Sequence, residues 1–190
     1  WNDSDIDKII EILKSNNVKA TFFMVGDWVE KYPEAVKKIN QEGHEIGSHS
    51  DTHPHVNQLS SEENLEEIKN SSQKIEQITN KKVTLYRPPY GEYNNTVIKV
   101  ANENNYIPIQ WSLDTLDYTG ITGNEMWNRI KDKISSGDII LMHNGTEHTA
   151  DSLDMIIKNI KEKGFNLVTV SDLIYKENYS IDVNGKQIQN

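Results

Sequence analysis

The chain has 190 residues, 35% of them hydrophobic and 26% charged, the size and make-up of a single globular domain. Its net charge of −9 is interrupted by no Lys/Arg cluster, which argues against a nucleic-acid partner, and no apolar stretch approaches the ~20 residues of a membrane span. There is no cysteine, which rules out disulfide and thiolate chemistry and fits an exported bacterial protein.

Read for periodicity, helices and strands alternate. Ile6, Ile9, Ile10 and Leu13 form a helical stripe, and Val18 to Val25 reads as a buried strand. Pro33 to Gln41 reads as a helix stopped by Gly43, followed by a short strand over Glu45 to Ser48. Ser60-x-x-Glu63 is a capping-box signature opening a helix that runs to about Ile78. Strands are then expected over Val83 to Tyr86, Tyr106 to Trp111, Asp138 to Met142 and Asn166 to Val170. Helices are expected over Thr96 to Glu103, Asn124 to Ile134 and Ser152 to Lys163, with a short one from Asp172 to Tyr175. Asn184-Gly185, between Ile181-Asp-Val183 and Gln187-Ile188, signals a hairpin, so 178–190 is read as a tail behind a domain spanning 1–177. Alternation of this kind specifies an α/β fold with a parallel sheet or barrel. A βα repeat opens on a strand whereas this one opens on a helix, so a strand is expected ahead of Trp1.

The residues able to do chemistry cluster where strands end. His49 and His53 follow the second visible strand, Arg87-Pro-Pro-Tyr90 the third, Asp114-Thr-Leu-Asp117-Tyr118 the fourth and His143-Asn144 the fifth. In α/β barrels the carboxyl ends of the strands build the active site. Imidazole is the commonest neutral metal ligand, and a spacing of four lets both rings reach one ion. A catalytic zinc site takes about three protein ligands and keeps a position open for water. The pair supplies two of them, and taken alone it could be two loop histidines that bind nothing.

Five stretches carry a resemblance: Lys19-Ala-Thr-Phe-Phe23, Glu45-Ile-Gly-Ser-His-Ser-Asp-Thr-His53, Arg87-Pro-Pro-Tyr90, Asp114-Thr-Leu-Asp-Tyr118 and Ile139-Ile-Leu-Met-His143. In order and spacing the chain, from about Trp1 to Tyr175, resembles the polysaccharide deacetylase family, the NodB-homology or carbohydrate esterase family 4 domain. The resemblance implies a distorted, incomplete (β/α)7-8 barrel whose first strand is missing from these residues. It implies a hydrolase that uses a divalent metal, zinc first and cobalt or nickel in its place, to remove N-acetyl groups from an acetylated polysaccharide. The Asn-, Lys- and Ile-rich composition favours bacterial peptidoglycan over chitin, with the protein acting as an extracellular or cell-wall-associated monomer.

Carried over motif by motif, the resemblance implies that His49 and His53 bind the metal and that Arg87 orients a catalytic aspartate. It implies a backbone N–H of Tyr90 on the oxyanion, Asp117 tuning the acid histidine, and His143 as that general acid. Leu141 resembles the residue lining the acetyl methyl pocket, with a core leucine as the alternative. Tyr118 stands where the family usually has tryptophan, and tyrosine can still stack on a sugar face. The family's first motif, whose aspartates supply the base and the third ligand, is absent; counted back from Thr21 it falls just before Trp1. Asp3, Asp5 and Asp7 read instead as charges at a helix N-terminus. Two other readings stay open: a non-catalytic glycan-binding member lacking the aspartates, and an esterase acting on O-acetylated xylan.

Overall fold

Ile6, Ile9, Ile10 and Leu13 recur at helical spacing and all four are buried, which makes α1 (Ile6–Ser15) an amphipathic helix with its stripe inward. In the computed structural model, which describes residues 2–190, α1 leads into β1 (Thr21–Met24), α2 (Gly26–Lys31), α3 (Pro33–Gln41), β2 (Glu45–Ser48), α4 (Ser61–Thr79) and β3 (Leu85–Tyr86). Then come α5 (Asn95–Glu103), β4 (Ile107–Pro108), β5 (Leu113–Asp114), α6 (Gly123–Ile130), β6 (Ile140–Leu141), α7 (Thr149–Glu162) and α8 (Val170–Leu173). The tail forms β7 (Tyr179–Ile181) and β8 (Gln187–Gln189). Trp1, where the resemblance begins, lies outside the described residues.

Strands β1 to β4 make one parallel sheet in chain order, with Phe22 opposite Ile46, Ser48 opposite Tyr86, and Tyr86 opposite Pro108. β5 and β6 make a second parallel pair, Asp114 opposite Leu141. Parallel neighbours need crossover connections, and helices supply them here. α4 packs on α2, α3 and α5, and α7 packs on α1 and α6. Ile6, Met24, Val29, Val36, Ile39 and Ile75 bury one apolar cluster between the first sheet and its helices; Met126, Ile130, Ile156 and Ile160 bury another under α6 and α7. The architecture is the expected distorted α/β barrel. All parallel strands therefore present their C-terminal ends on one rim, and His49, Arg87, Asp117 and His143 follow β2, β3, β5 and β6 onto it.

Three expectations are corrected. The segment expected as a strand over Asn166–Val170 forms no ladder, and α8 begins at Val170. Its apolar alternation is satisfied by packing alone, Phe165 and Leu167 lying against the cores under α7. Val170 N–H and Ser171 N–H donate to Thr21 Oγ1 and Glu45 Oε2 at 2.9 and 3.1 Å, so the segment turns into a helix where a strand would continue. Second, the strand expected over Val18–Val25 shortens to β1 (Thr21–Met24), and Val25 becomes the N-cap of α2, a helix the periodicity does not predict. Gly26 N–H and Asp27 N–H bond to the carbonyls of Ser50 and Asp51, and a Cβ at Gly26 would overlap the Asp51 carboxylate. Third, β5 lies beyond the last predicted strand of that region, so Asp117 follows β5 and not β4. The tail hairpin forms as expected, closing through 182–186 with Asp182 Oδ1 accepting from Asn184 N–H and Lys186 N–H.

Candidate active site

His49 leaves the end of β2 with its N–H on Met24 O at 2.9 Å. Its Nδ1 lies 2.6 Å from Arg87 O, and a carbonyl can only accept, so Nδ1 carries the proton and Nε2 keeps its lone pair. The His53 ring stands 4.9 Å from that of His49, centroid to centroid, at 78°. His53 reaches this position through a left-handed backbone, φ 61°. Burial, followed by the Arg87 charge, holds His49 well below the usual histidine range, and burial also lowers His53. Both shifts favour the neutral form, the protonation state a metal ligand requires. Among the described residues no third His, Cys, Asp or Glu joins them in a metal-ready group.

Arg87 follows β3 with its N–H on Ser48 O. Its guanidinium is partly buried 4.8 Å from the Phe23 ring centroid, and desolvation, opposed by the Asp117 charge, brings it down to about 10. Two residues on, Pro88-Pro89 steer the chain into a tight turn in which Tyr90 takes the left-handed conformation, φ 58°. Its ring is exposed, meets the edge of His53 at 4.6 Å and stacks on His55 at 4.3 Å and 12°. His55 Nδ1 pairs with Glu92 Oε1 at 2.7 Å. Neither His55 nor Glu92 stood out in the sequence, although His53-Pro-His55 carries the signal: a further imidazole two residues from a candidate ligand.

Asp117 is fully buried in the turn after β5. Its carboxylate accepts from His143 N–H at 2.5 Å, from His143 Nδ1–H at 2.7 Å and from Thr149 Oγ1–H at 2.7 Å. His143 Nδ1–H is thereby committed to Asp117. The half-exposed Tyr118 ring meets His143 edge-on at 5.4 Å, and Leu141 is buried at the end of β6. Beyond His143, Gly145 N–H bonds Asp5 Oδ2 at 2.8 Å and Asn144 Nδ2–H bonds Asn2 O at 2.6 Å, so Asp5 braces the loop after His143. Asp7 pairs with Lys38 on the surface. Thr149, at the start of α7, was not singled out from the sequence; a buried threonine facing a site far away in the chain leaves no local signal. Thr149→Val keeps the volume but removes the donor to a charged acceptor, so it should cost about 1.5–3 kcal/mol in urea unfolding. Thr149→Ser should recover most of that. A loss well under 1 kcal/mol in the valine variant would show that the bond contributes nothing.

The sequence-derived residues therefore meet on one rim: the histidine pair, the Tyr90 turn, the partly buried Arg87 and the Asp117–His143 pair. A family model described as polysaccharide deacetylase matches residues 2–109, more than half of the chain. The chain belongs to the polysaccharide deacetylase family. A peptidoglycan-N-acetylglucosamine deacetylase of Bacillus cereus is 35% identical over 170 residues, 87% of this chain and 62% of that protein. Among solved structures, a CE4-family pseudoenzyme of Bacillus anthracis is 36% identical with a TM-score of 0.88, over 91% of this chain and 61% of that one. A mutant of that pseudoenzyme with restored enzymatic activity superposes equally well. The peptidoglycan deacetylase PdaC of Bacillus subtilis is 34% identical with a TM-score of 0.82, over 91% of this chain and 84% of that one. The chain spans 54% to 66% of the length of the first curated relatives it matches. The polysaccharide deacetylase family thus includes both acting enzymes and a member that has lost activity.

Proposed function

We propose that this chain forms most of a metal-dependent deacetylase that removes N-acetyl groups from an N-acetylglucosamine-type polysaccharide, bacterial peptidoglycan before chitin-like oligosaccharide. The observation that carries the reading is the pairing of buried Asp117 with His143 on the same rim as the two imidazoles of His49 and His53. His49 and His53 would hold the ion, zinc first and cobalt or nickel in its place; the lone pair left on His49 Nε2 by the Arg87 carbonyl fits that task. The metal, when bound, supplies Lewis-acid activation of water and of the acetyl carbonyl. His143, oriented through Nδ1, presents Nε2 to protonate the leaving amine, and Asp117 stabilises the imidazolium. Tyr90 offers a backbone N–H to the developing oxyanion, its left-handed turn fixing the direction. Tyr118 offers an exposed ring to a sugar face and Leu141 an apolar wall to the acetyl methyl. Arg87 is the charge that would orient the base aspartate of the family's first motif. A cell-wall substrate implies an extracellular or wall-associated protein, and the fold is read as a monomer.

One observation favours a second reading. A CE4-family pseudoenzyme is among the similar structures. On that reading the same rim binds glycan without cutting it. Full-length protein with zinc, assayed for acetate release from peptidoglycan, chitooligosaccharide and acetyl-xylan, separates the possibilities. Release from peptidoglycan is the expected result. Release from acetyl-xylan alone would move the assignment to an O-esterase, and binding without release to the glycan-binding reading.

A further inference from the structure

The turn that carries the two histidines is strained. Ser50 and His53 both take left-handed backbones, φ 67° and 61°, a conformation that costs a non-glycine residue roughly 1–2 kcal/mol. Asp51 and Thr52 lie between them. Their consecutive N–H groups point at the same oxygen, Glu67 Oε2, at 2.8 and 2.9 Å, while Thr52 Oγ1 donates to Glu67 Oε1 at 2.9 Å. Successive backbone N–H groups converging in this way form a nest for an anion, and Glu67 occupies it from α4. The same helix face makes two more contacts, one to the adjoining end of β1 and one to the turn. Ser71 Oγ–H donates to Met24 O at 3.1 Å, and the Lys74 ammonium pairs with the Asp51 carboxylate at 2.7 Å. Glu67, Ser71 and Lys74 recur at i, i+4 and i+7, so one stripe of α4 faces the loop.

We propose that Glu67 is a positioning residue for the histidine pair: its carboxylate fills the nest at Asp51 and Thr52 and holds the strained turn that brings His53 to His49. Without that acceptor the two N–H groups lose their partner, and Ser50 and His53 can relax out of the left-handed region. His53 would then leave both the His49 ring and the edge of Tyr90. The part of this concerning zinc rests on the deacetylase reading above; the part concerning the turn does not.

The test uses the full-length protein carrying Glu67→Ala, Glu67→Asp and Glu67→Gln. Aspartate retracts the carboxylate by one methylene while keeping its charge; glutamine keeps an oxygen at the nest. Three quantities are read: amide exchange at Asp51 and Thr52, the His53 ring-proton shifts set by the nearby Tyr90 ring, and zinc affinity by chelator competition. In the alanine and aspartate variants the two amides should exchange faster while the rest of α4 keeps its protection, and the His53 resonances should move. Zinc affinity should fall roughly 10–100-fold, the usual cost of losing an outer-shell partner. Glutamine should restore most of each readout. Protected amides and unmoved His53 resonances in the aspartate variant would overturn the proposal, as would glutamine behaving like alanine. Loosened amides with unmoved His53 resonances would reduce Glu67 to a loop anchor and overturn its positioning role. If the unaltered protein binds no zinc, the amide and ring readouts still decide the proposal, and the failure belongs to the metal assignment.

Discussion

His143→Ala should lower kcat for acetate release by roughly 10²–10⁴-fold, the range of a lost general acid. The imidazole is fixed from two sides of one carboxylate: its backbone N–H takes one oxygen of Asp117 and its Nδ1–H the other. The alanine variant removes the imidazole that Asp117 orients, and with it the proposed proton donor. Asp117→Asn should cost less but act on the same step. Asparagine offers one acceptor oxygen where the carboxylate accepts from three donors, so the imidazole loses both its charge partner and part of its orientation. Zinc affinity should stay near the unaltered value in both variants, because His49 takes its own orientation from the Arg87 carbonyl. Steady-state kinetics beside chelator competition measure the two effects separately. If His143→Ala kept its rate, the general acid would lie elsewhere. If Asp117→Asn lost zinc as well as rate, the carboxylate would be holding the rim together rather than serving the histidine.

The parts legible in the sequence share a property: each rests on contacts between near neighbours. The stripe of α1, the Pro33 start of α3 and the Ser60–Glu63 capping box are such local signals, and each forms where expected. The motif residues were legible by order and spacing, and strand ends then carried them to one rim. The Thr122–Glu125 capping box is an equally local signal, and with it α6 starts one residue before the expected Asn124. What was not legible depends on distant partners. The 166–170 segment has strand-like alternation, but Thr21 and Glu45 take the N–H groups of Val170 and Ser171, and a helix follows. α2 exists because Gly26 comes close against the Ser50–Asp51 turn. Thr149 and Glu67 touch the candidate site from helices whose own sequences show only ordinary helix residues. Periodicity reports which face is apolar; it is silent on which buried polar side chain finishes another residue's hydrogen bonds.

His49→Ala should abolish zinc binding for practical purposes. Folded metal sites with four ligands are worth about 10–16 kcal/mol, so one ligand accounts for roughly 3 kcal/mol, or about 10²-fold in affinity. His49 should exceed that figure, since its removal also leaves the Arg87 carbonyl without its donor and frees His53 from its ring contact. His53→Ala should lose zinc to a similar degree. His55→Ala is the informative control: it stands close by and stacks on Tyr90, but its Nδ1 is occupied by Glu92. It should disturb the Tyr90 turn while leaving zinc affinity within a few-fold of the unaltered protein. X-ray absorption on the zinc-loaded full-length protein should show nitrogen ligands at about 2.0–2.1 Å. Burial lowers His49 and His53 below the ordinary histidine value of 6.5, so protons compete with the metal only at lower pH than for free imidazole. Zinc should accordingly remain bound as the pH falls just below 6.5 and be released on further acidification. Release beginning above 6.5, or equal losses in the His49 and His55 variants, would mean that the neutral pair is not what holds the ion.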